Sequence, residues 1–415
     1  MRILLAARGS RGDVQPILAV ARGLLRRGHR VRLCVPGAFA DEARSLGVDP
    51  GVYAEDMHQA MRGFAAGGLR SVRSVLAWFA RTIDDQFRVM VPESEGVDLF
   101  VTGTNEIAAP SIAEYRGVPF YRVTFGPMMT GYGSHALLPW QNLPGLVNRA
   151  GWEAINRGVD LVARGPINRN RARLGMGPTR DVADLVARHG HTLFAMNTTL
   201  APPCPSWGAK YEFTYTGYPH PRESGALPAE VVRFIEAGPP PLYLGFGSVA
   251  VRDPARWTRR VVDAVVRAGC RVVLGQGWAG LGRGVVSDRV LVVGALPHGL
   301  LFPRMAGVLG HGGAGTTHTA ARAGVPQLVM PQFGDQHYWG HRVAALGLGP
   351  APVDPARLTT RRLARVLREL VDNPRHARHA AALGHIMRDE DGVASIIAAV
   401  EAREGGVRRA EAACS

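Results

Sequence analysis

AGVLGHGGAGTTHTAARAGVPQLVMPQFGDQHYWGHR, residues 306–342, decides the fold. The apolar run ending in Val308 and Leu309 reads as a strand. The chain then turns through Gly310, His311, Gly312, Gly313, Ala314 and Gly315, and Thr316 opens a helix that Gly324 closes. Glycines let the backbone approach an anion closely, and the unbonded amides of a helix's first turn point partial positive charge at it. His311, Thr316 and Thr317 add side-chain donors. The next strand, Val325 to Met330, carries Asp335 and Gln336 to the same strand-end edge of an α/β sheet, where ligands of such sheets bind. An anion site and a hydroxyl-reading pair therefore share one rim, although a turn or cap role also explains Asp335.

Two GxGxxG patterns occur, and their contexts differ. Gly275–Gly280, GQGWAG, follows the apolar strand Arg271 to Leu274 but leads into a stretch without helical period, so it reads as a loop. Gly310–Gly315 does stand between strand and helix, and Asp335 has the spacing of a dinucleotide fold's acidic residue. That turn comes after at least two earlier strand candidates of its domain, whereas a dinucleotide fold carries it in the first βαβ unit. A mononucleotide-type site is therefore preferred to an NAD site.

With HGGAGTT, AGVPQ and DQ in these positions, the stretch resembles the nucleotide-diphosphate-sugar site of the GT-B glycosyltransferases that decorate small molecules. It is most similar to the actinobacterial antibiotic glycosyltransferases of the glycopeptide type, and the similarity extends through Tyr218 to Ser248 and into the amino terminus. The resemblance implies two Rossmann-like domains whose parallel sheets face across a cleft, with a C-terminal helix returning to the first domain. It also implies that His311 and the amides of Gly313, Ala314, Gly315 and Thr316 hold the pyrophosphate, with Ser248 touching phosphate. Asp335 and Gln336 would contact the sugar. The loop containing Leu296 and His298 would read a pyrimidine base, with Trp278 either packing nearby or simply anchoring its loop.

A chain of 415 residues with 46% hydrophobic content has room for two domains with separate cores. The net charge of +15 suggests nucleic acid at first sight. However, the arginines, which make up all but one of the 49 basic residues, are scattered among acids rather than grouped with aromatics, so a nucleic-acid surface is not expected. Cysteines at 34, 204, 270 and 414 have neither CxxC nor zinc spacing, so free thiols in a reducing compartment are expected, with no metal and no cofactor. The amino terminus is too short in apolar residues for a signal peptide, and no apolar run of about 18 residues occurs. The expectation is a soluble cytoplasmic protein, a monomer or weak homodimer.

From the amino terminus, strand Ile3 to Ala7, helix Val14 to Arg27 and strand Arg30 to Val35 make a βαβ start. Asp13 falls at or beside the helix N-cap, which spacing alone explains. It also stands at the carboxyl edge of the first strand, and by resemblance the aspartate of GSRGD is the proposed base. Ser10 in the same loop is a further candidate for the donor phosphates. In the stretch 51–95, Leu76, Phe79, Ile83 and Phe87 repeat at helical spacing and read as a core stripe, with Trp78 off it. By resemblance this region and the loop Phe125 to Trp140 line an acceptor cleft, with Trp78, Phe79, Met128, Met129 and Trp140 as candidates, ordinary packing being the alternative. The proline- and glycine-rich stretch Ala201 to Pro241 reads as interdomain. The expected division is 1–216, a linker 217–240, 241–388, and 389–415 as a terminal helix with a disordered tail. Asp389, Glu390 and Asp391 spell a DxD, but no strand precedes them and Asp391 reads as a helix cap.

These parts imply an inverting, metal-independent glycosyltransferase that uses a UDP- or dTDP-sugar and a hydrophobic natural-product acceptor. Alternatives are a C-glycosyltransferase, a sterol or lipid glucosyltransferase, a nucleotide-sugar epimerase, an NAD oxidoreductase, or a non-catalytic activator of another transferase.

Overall fold

A computed structural model of the protein describes residues 1–54, 69–127, 140–141, 143–182, 185, 190–204, 212–223, 225–247, 253–278, 280–285 and 287–402, with side chains between 69 and 75 outside that description. The first half of the chain forms a seven-stranded sheet from β1 (Arg2–Ala6), β2 (Arg30–Pro36), β3 (Gly51–Tyr53), β4 (Leu99–Thr102), β5 (Phe120–Thr124), β6 (His191–Phe194) and β7 (Phe213–Tyr215). The second half forms a five-stranded sheet from β8 (Leu242–Gly245), β9 (Val272–Gly275), β10 (Val290–Val293), β11 (Gly307–Gly310) and β12 (Gln327–Val329). The orders are β3-β2-β1-β4-β5-β6-β7 and β10-β9-β8-β11-β12, and every pairing is parallel. Strands buried on both faces need continuous apolar runs, as in β1, where Ile3, Leu4, Leu5 and Ala6 are all fully buried.

Strand order fixes where loops diverge. In the first sheet it reverses between β1 and β4, and in the second between β8 and β11. The crevice at such a switch point is where open α/β sheets bind ligands. The loops at these two places are Arg8–Ser10 with Asn105 and Glu106, and Gly247 with His311–Gly313.

Four helices position these loops: α1 (Arg11–Arg26), α2 (Leu69–Glu93), α3 (Ala314–Ala323) and α4 (Gln336–Ala345). A terminal helix, α5 (392–402), begins after Asp391, whose Oδ1 accepts the Ala394 amide at 3.0 Å as a cap does. Ile396, Ile397 and Val400 of α5 are buried in one core with Ile3, Val14, Ile17 and Leu24 of the first sheet's layer. A side chain at Gly23 of α1 would meet Ile397 and Val393, so the glycine sets the close approach of α1 and α5.

Two details depart from the sequence reading. The proline-rich stretch from 201 contains β7, the edge strand of the first sheet. On α2 the apolar stripe is core only from Phe79 onward: Ile83 and Phe87 are buried and Phe79 packs against their cluster, but Leu76 is exposed.

Candidate active site

The first rim is built by the turn after β1. Gly9 has φ +133°, a conformation that favours glycine, and the Asp13 carboxylate occupies the space its side chain would need. Asp13 Oδ2 accepts the Ser10 amide at 2.8 Å and the Ser10 hydroxyl at 3.0 Å. Asn105 Nδ2 reaches Asp13 Oδ1 at 3.4 Å and donates to the Arg8 carbonyl at 2.9 Å. Burial raises the Asp13 carboxyl above its ordinary range, and the Ser10 amide, the Ser10 hydroxyl and Asn105 pull it back. Asp13 therefore ties down the first turn of α1 through Oδ2, while Oδ1 is less firmly held, by the longer Asn105 contact alone.

Behind it lies a buried polar cluster that the sequence did not reveal. Arg8 is 2% exposed, pairs with Asp85 of α2 at 3.4 Å and stands over the Tyr53 ring at 5.4 Å. Glu106, also 2% exposed, is pushed well up by burial and then by the charge of Asp13, while Arg8 draws it down. Its only sequence signal is a pair of polar residues, Asn105 and Glu106, just past an apolar strand beside β1.

The second rim is the glycine turn. Gly313 occupies the N-cap of α3 in extended conformation, and the first helical bond runs from Thr317 N to Gly313 O at 3.0 Å, so the amides before Thr317 have no helical acceptor. Gly312 has φ +88°, and a side chain there would strike Val329 and the Gln336 carbonyl. The His311 ring lies against Gly313, leaving no room for a side chain there, and closely against Gly247, whose φ of +54° itself favours glycine. Its Nδ1 has no hydrogen-bond partner among the described residues. Burial lowers this imidazole to about 4, so it is neutral at pH 7.

Asp335 precedes α4, and its Oδ2 accepts the Trp339 indole N–H at 3.0 Å. Burial pushes it up to about 6; the Trp339 bond opposes this and the charge of Asp13 adds to it. The two rims thus bring their carboxylates within electrostatic reach. Gln336 is 3% exposed and its Oε1 accepts the Gln332 and Phe333 amides at 2.8 and 3.2 Å, so its carbonyl holds the loop.

The chain is 36% identical to Glycosyltransferase GtfE of Amycolatopsis orientalis, over 86% of this chain and 87% of that protein. The chain belongs to the GT-B glycosyltransferases. This glycosyltransferase is also 34% identical to the vancomycin aglycone glucosyltransferase of the same organism, over 95% of this chain and 96% of that one. It is 30% identical to a sterol 3-beta-glucosyltransferase of Eremothecium gossypii, over 94% of this chain and 33% of that one. Residues 3–130 match the glycosyltransferase family 28 N-terminal domain, and 259–402 the erythromycin biosynthesis protein CIII-like C-terminal domain. Among solved structures, glycosyltransferase VinC in complex with dTDP shares the fold, with TM-score 0.68 and 19% identity over 97% of this chain and 100% of that one.

In this glycosyltransferase the loop after β10 adds to the second rim. His298 Nε2 lies 3.1 Å from Tyr243 Oη, and its ring stacks on Phe302 at 4.4 Å. Burial, then the charge of Arg11 from the facing rim, lowers it to about 4. Leu296 is half-buried against the same cluster. Trp278 is half-buried, and its amide donates to the Gly247 carbonyl at 2.9 Å, tying the turns after β8 and β9 together. Of the acceptor candidates, Trp78 and Phe79 meet edge to face at 5.8 Å in the first half of α2, two turns before Asp85, and Trp140 is 67% exposed. Ser248, Met128 and Met129 lie outside the described residues. No helix among the described residues is long and apolar enough to cross a membrane.

Proposed function

We propose that this glycosyltransferase moves a sugar from a UDP- or dTDP-sugar to a hydroxyl of an apolar natural-product acceptor, with inversion and without a metal. The observation that carries the reading is the coupling of the rims: the charge of Asp13, whose own carboxyl is raised by burial, helps to raise Asp335 on the rim that holds the open first turn of α3. The amides of Ala314, Gly315 and Thr316, together with neutral His311, suit a diphosphate, and the aligned helix favours the charge that develops as it leaves. Asp13 takes the proton of the acceptor hydroxyl as its oxygen forms a bond to the anomeric carbon. The bond from that carbon to the diphosphate oxygen breaks on the opposite face, and its electron pair leaves with the diphosphate. Asp335 suits the sugar hydroxyls. The dTDP bound in VinC and the vancomycin aglycone named for a relative support the donor class and the acceptor class.

Calorimetry with UDP, dTDP and NAD in EDTA tests the donor site. Pyrimidine diphosphate binding weakened about tenfold in His311→Ala and kept in Asp13→Asn is the expected result; binding of NAD alone would overturn the reading. Turnover with glycopeptide aglycones, followed by NMR of the anomeric configuration, tests inversion. The sterol glucosyltransferase relative favours one second acceptor class, which the same assay with sterols checks.

A further inference from the structure

Tyr218, in the segment joining the two sheets, is the residue the mechanism above leaves unused. Its ring is 4% exposed and stacks on His318 of α3, with centroids 4.9 Å apart and planes 20° apart. Phe125 from the end of β5 lies on it at 5.8 Å and His220 meets it edge-on at 4.9 Å. Its backbone is held as tightly, because a side chain at Gly392, the start of α5, would come within 2.5 Å of its carbonyl. So fixed, the side chain runs along α3 toward the helix's open end. Its Oη lies 2.7 Å from where a side-chain carbon on Gly315 would be, so only glycine at 315 leaves the hydroxyl its place.

The hydroxyl makes no hydrogen bond to a described residue, and although the side chain is 4% exposed the oxygen is not among the fully enclosed polar atoms, so it is open to a ligand. What it lacks is an acceptor. The groups around the open end of α3 are amide donors, and Asp13 Oδ2 is already occupied by Ser10. The 2.7 Å approach to Gly315 places the hydroxyl at the first turn of α3, and the Asp13 charge adds to the burial that raises it.

We infer that the Tyr218 hydroxyl donates a hydrogen bond to the diphosphate of the bound nucleotide sugar, beside the Gly315 amide. This rests on the function proposed above and adds a residue to it. The consequence is that the interdomain segment itself grips the donor. Binding of the diphosphate and the set of the two sheets are then linked through one side chain, held in place by His318 and Gly392.

The test compares wild type with Tyr218→Phe, which keeps the ring and its stacking, by calorimetry with UDP or dTDP and by competition with uridine or thymidine lacking phosphate. The expected result is a roughly tenfold weaker diphosphate affinity, unchanged nucleoside affinity and an unchanged thermal midpoint, since a bond to a charged group is lost and no packing is. Equal diphosphate affinity in the two proteins would overturn the inference while leaving the proposed function standing. Parallel loss for nucleoside and diphosphate would make Tyr218 a packing residue only. If wild type binds neither diphosphate, the proposed function fails and this inference with it.

Discussion

Trp339 donates its indole N–H to Asp335 Oδ2 at 3.0 Å, and that bond opposes the burial that raises the carboxyl to about 6. Trp339 is itself fully buried and meets His318 edge-on at 5.0 Å, so the orientation of Asp335 is set from inside the core. Trp339→Phe removes the donor and leaves a cavity costing about 2 kcal/mol. The Asp335 carboxyl then titrates above about 6, and on the proposed function, in which the ionised form accepts sugar hydroxyls, the acid limb of kcat/KM moves to higher pH. The loss is larger at pH 6.5 than at pH 8.5. Asp335→Asn lowers kcat/KM by roughly 10- to 100-fold, as expected for a lost bond to a charged group. A pH–rate profile unmoved in Trp339→Phe would refute the link.

His311 acts as a neutral donor or acceptor in this arrangement, since burial holds it near 4. His311→Ala weakens diphosphate binding about tenfold. The ratio of wild-type to variant affinity stays constant from pH 6 to pH 8, because the imidazole carries no charge anywhere in that window. A ratio that grows as pH falls toward 6 would mean a cationic His311, and the burial argument would be wrong.

How much of this was legible in the sequence depends on distance along the chain. The glycine turn is a local device and was legible as a strand-to-helix turn, although the helix opens at Ala314 with Gly313 as its cap, two residues before the Thr316 that the sequence reading chose. Asp13 reads from spacing as a residue at or beside the helix cap, and its hydrogen bonds to Ser10, the N-cap of α1, show that it closes a capping box from the third helical position. Glu106 and Tyr218 were opaque. Their surroundings come from Arg8, Asp13, His318 and Gly392, which only the strand order and the return of α5 bring together. β7, three residues in a proline-rich stretch, was hidden because an edge strand that short has no period to show. Gln336 looked free to read a ligand, yet its carbonyl is occupied by Gln332 and Phe333, a local loop bond that composition does not signal.

His318 gives the fold an acid limit. Its Nδ1 lies 2.8 Å from the Ala314 carbonyl and its Nε2 3.3 Å from the Asn197 amide, which requires the neutral ring with the proton on Nδ1. Burial lowers it to about 4, as it does His298, and lowers His220 to about 3. A depressed histidine stabilises fully above its unfolded value of about 6.5 and loses that contribution as pH falls toward the folded value. Each such group costs up to about 1.4 kcal/mol per pH unit in that window. Thermal unfolding is therefore expected to show a midpoint falling steeply from pH 6.5 to 4.5, less steeply in His318→Gln. Equal slopes for variant and wild type would show that His318 is not among the groups responsible.

Glu106 sets the opposite limit. Its folded value lies well above the ordinary glutamate range, because burial and the Asp13 charge outweigh Arg8. The folded state thus holds a proton that the unfolded state releases near pH 4.5, and stability is lost as pH rises from there toward the folded value. Glu106→Gln, which keeps the shape of the protonated acid, removes this term. The difference in unfolding free energy between variant and wild type should move in the variant's favour as pH rises, by up to about 1.4 kcal/mol per unit until Glu106 ionises in the folded wild type. Denaturant unfolding at pH 5, 6, 7 and 8 measures it directly. A difference that stays flat over that range would mean that Glu106 is already ionised in the fold, with the Arg8 charge outweighing its burial.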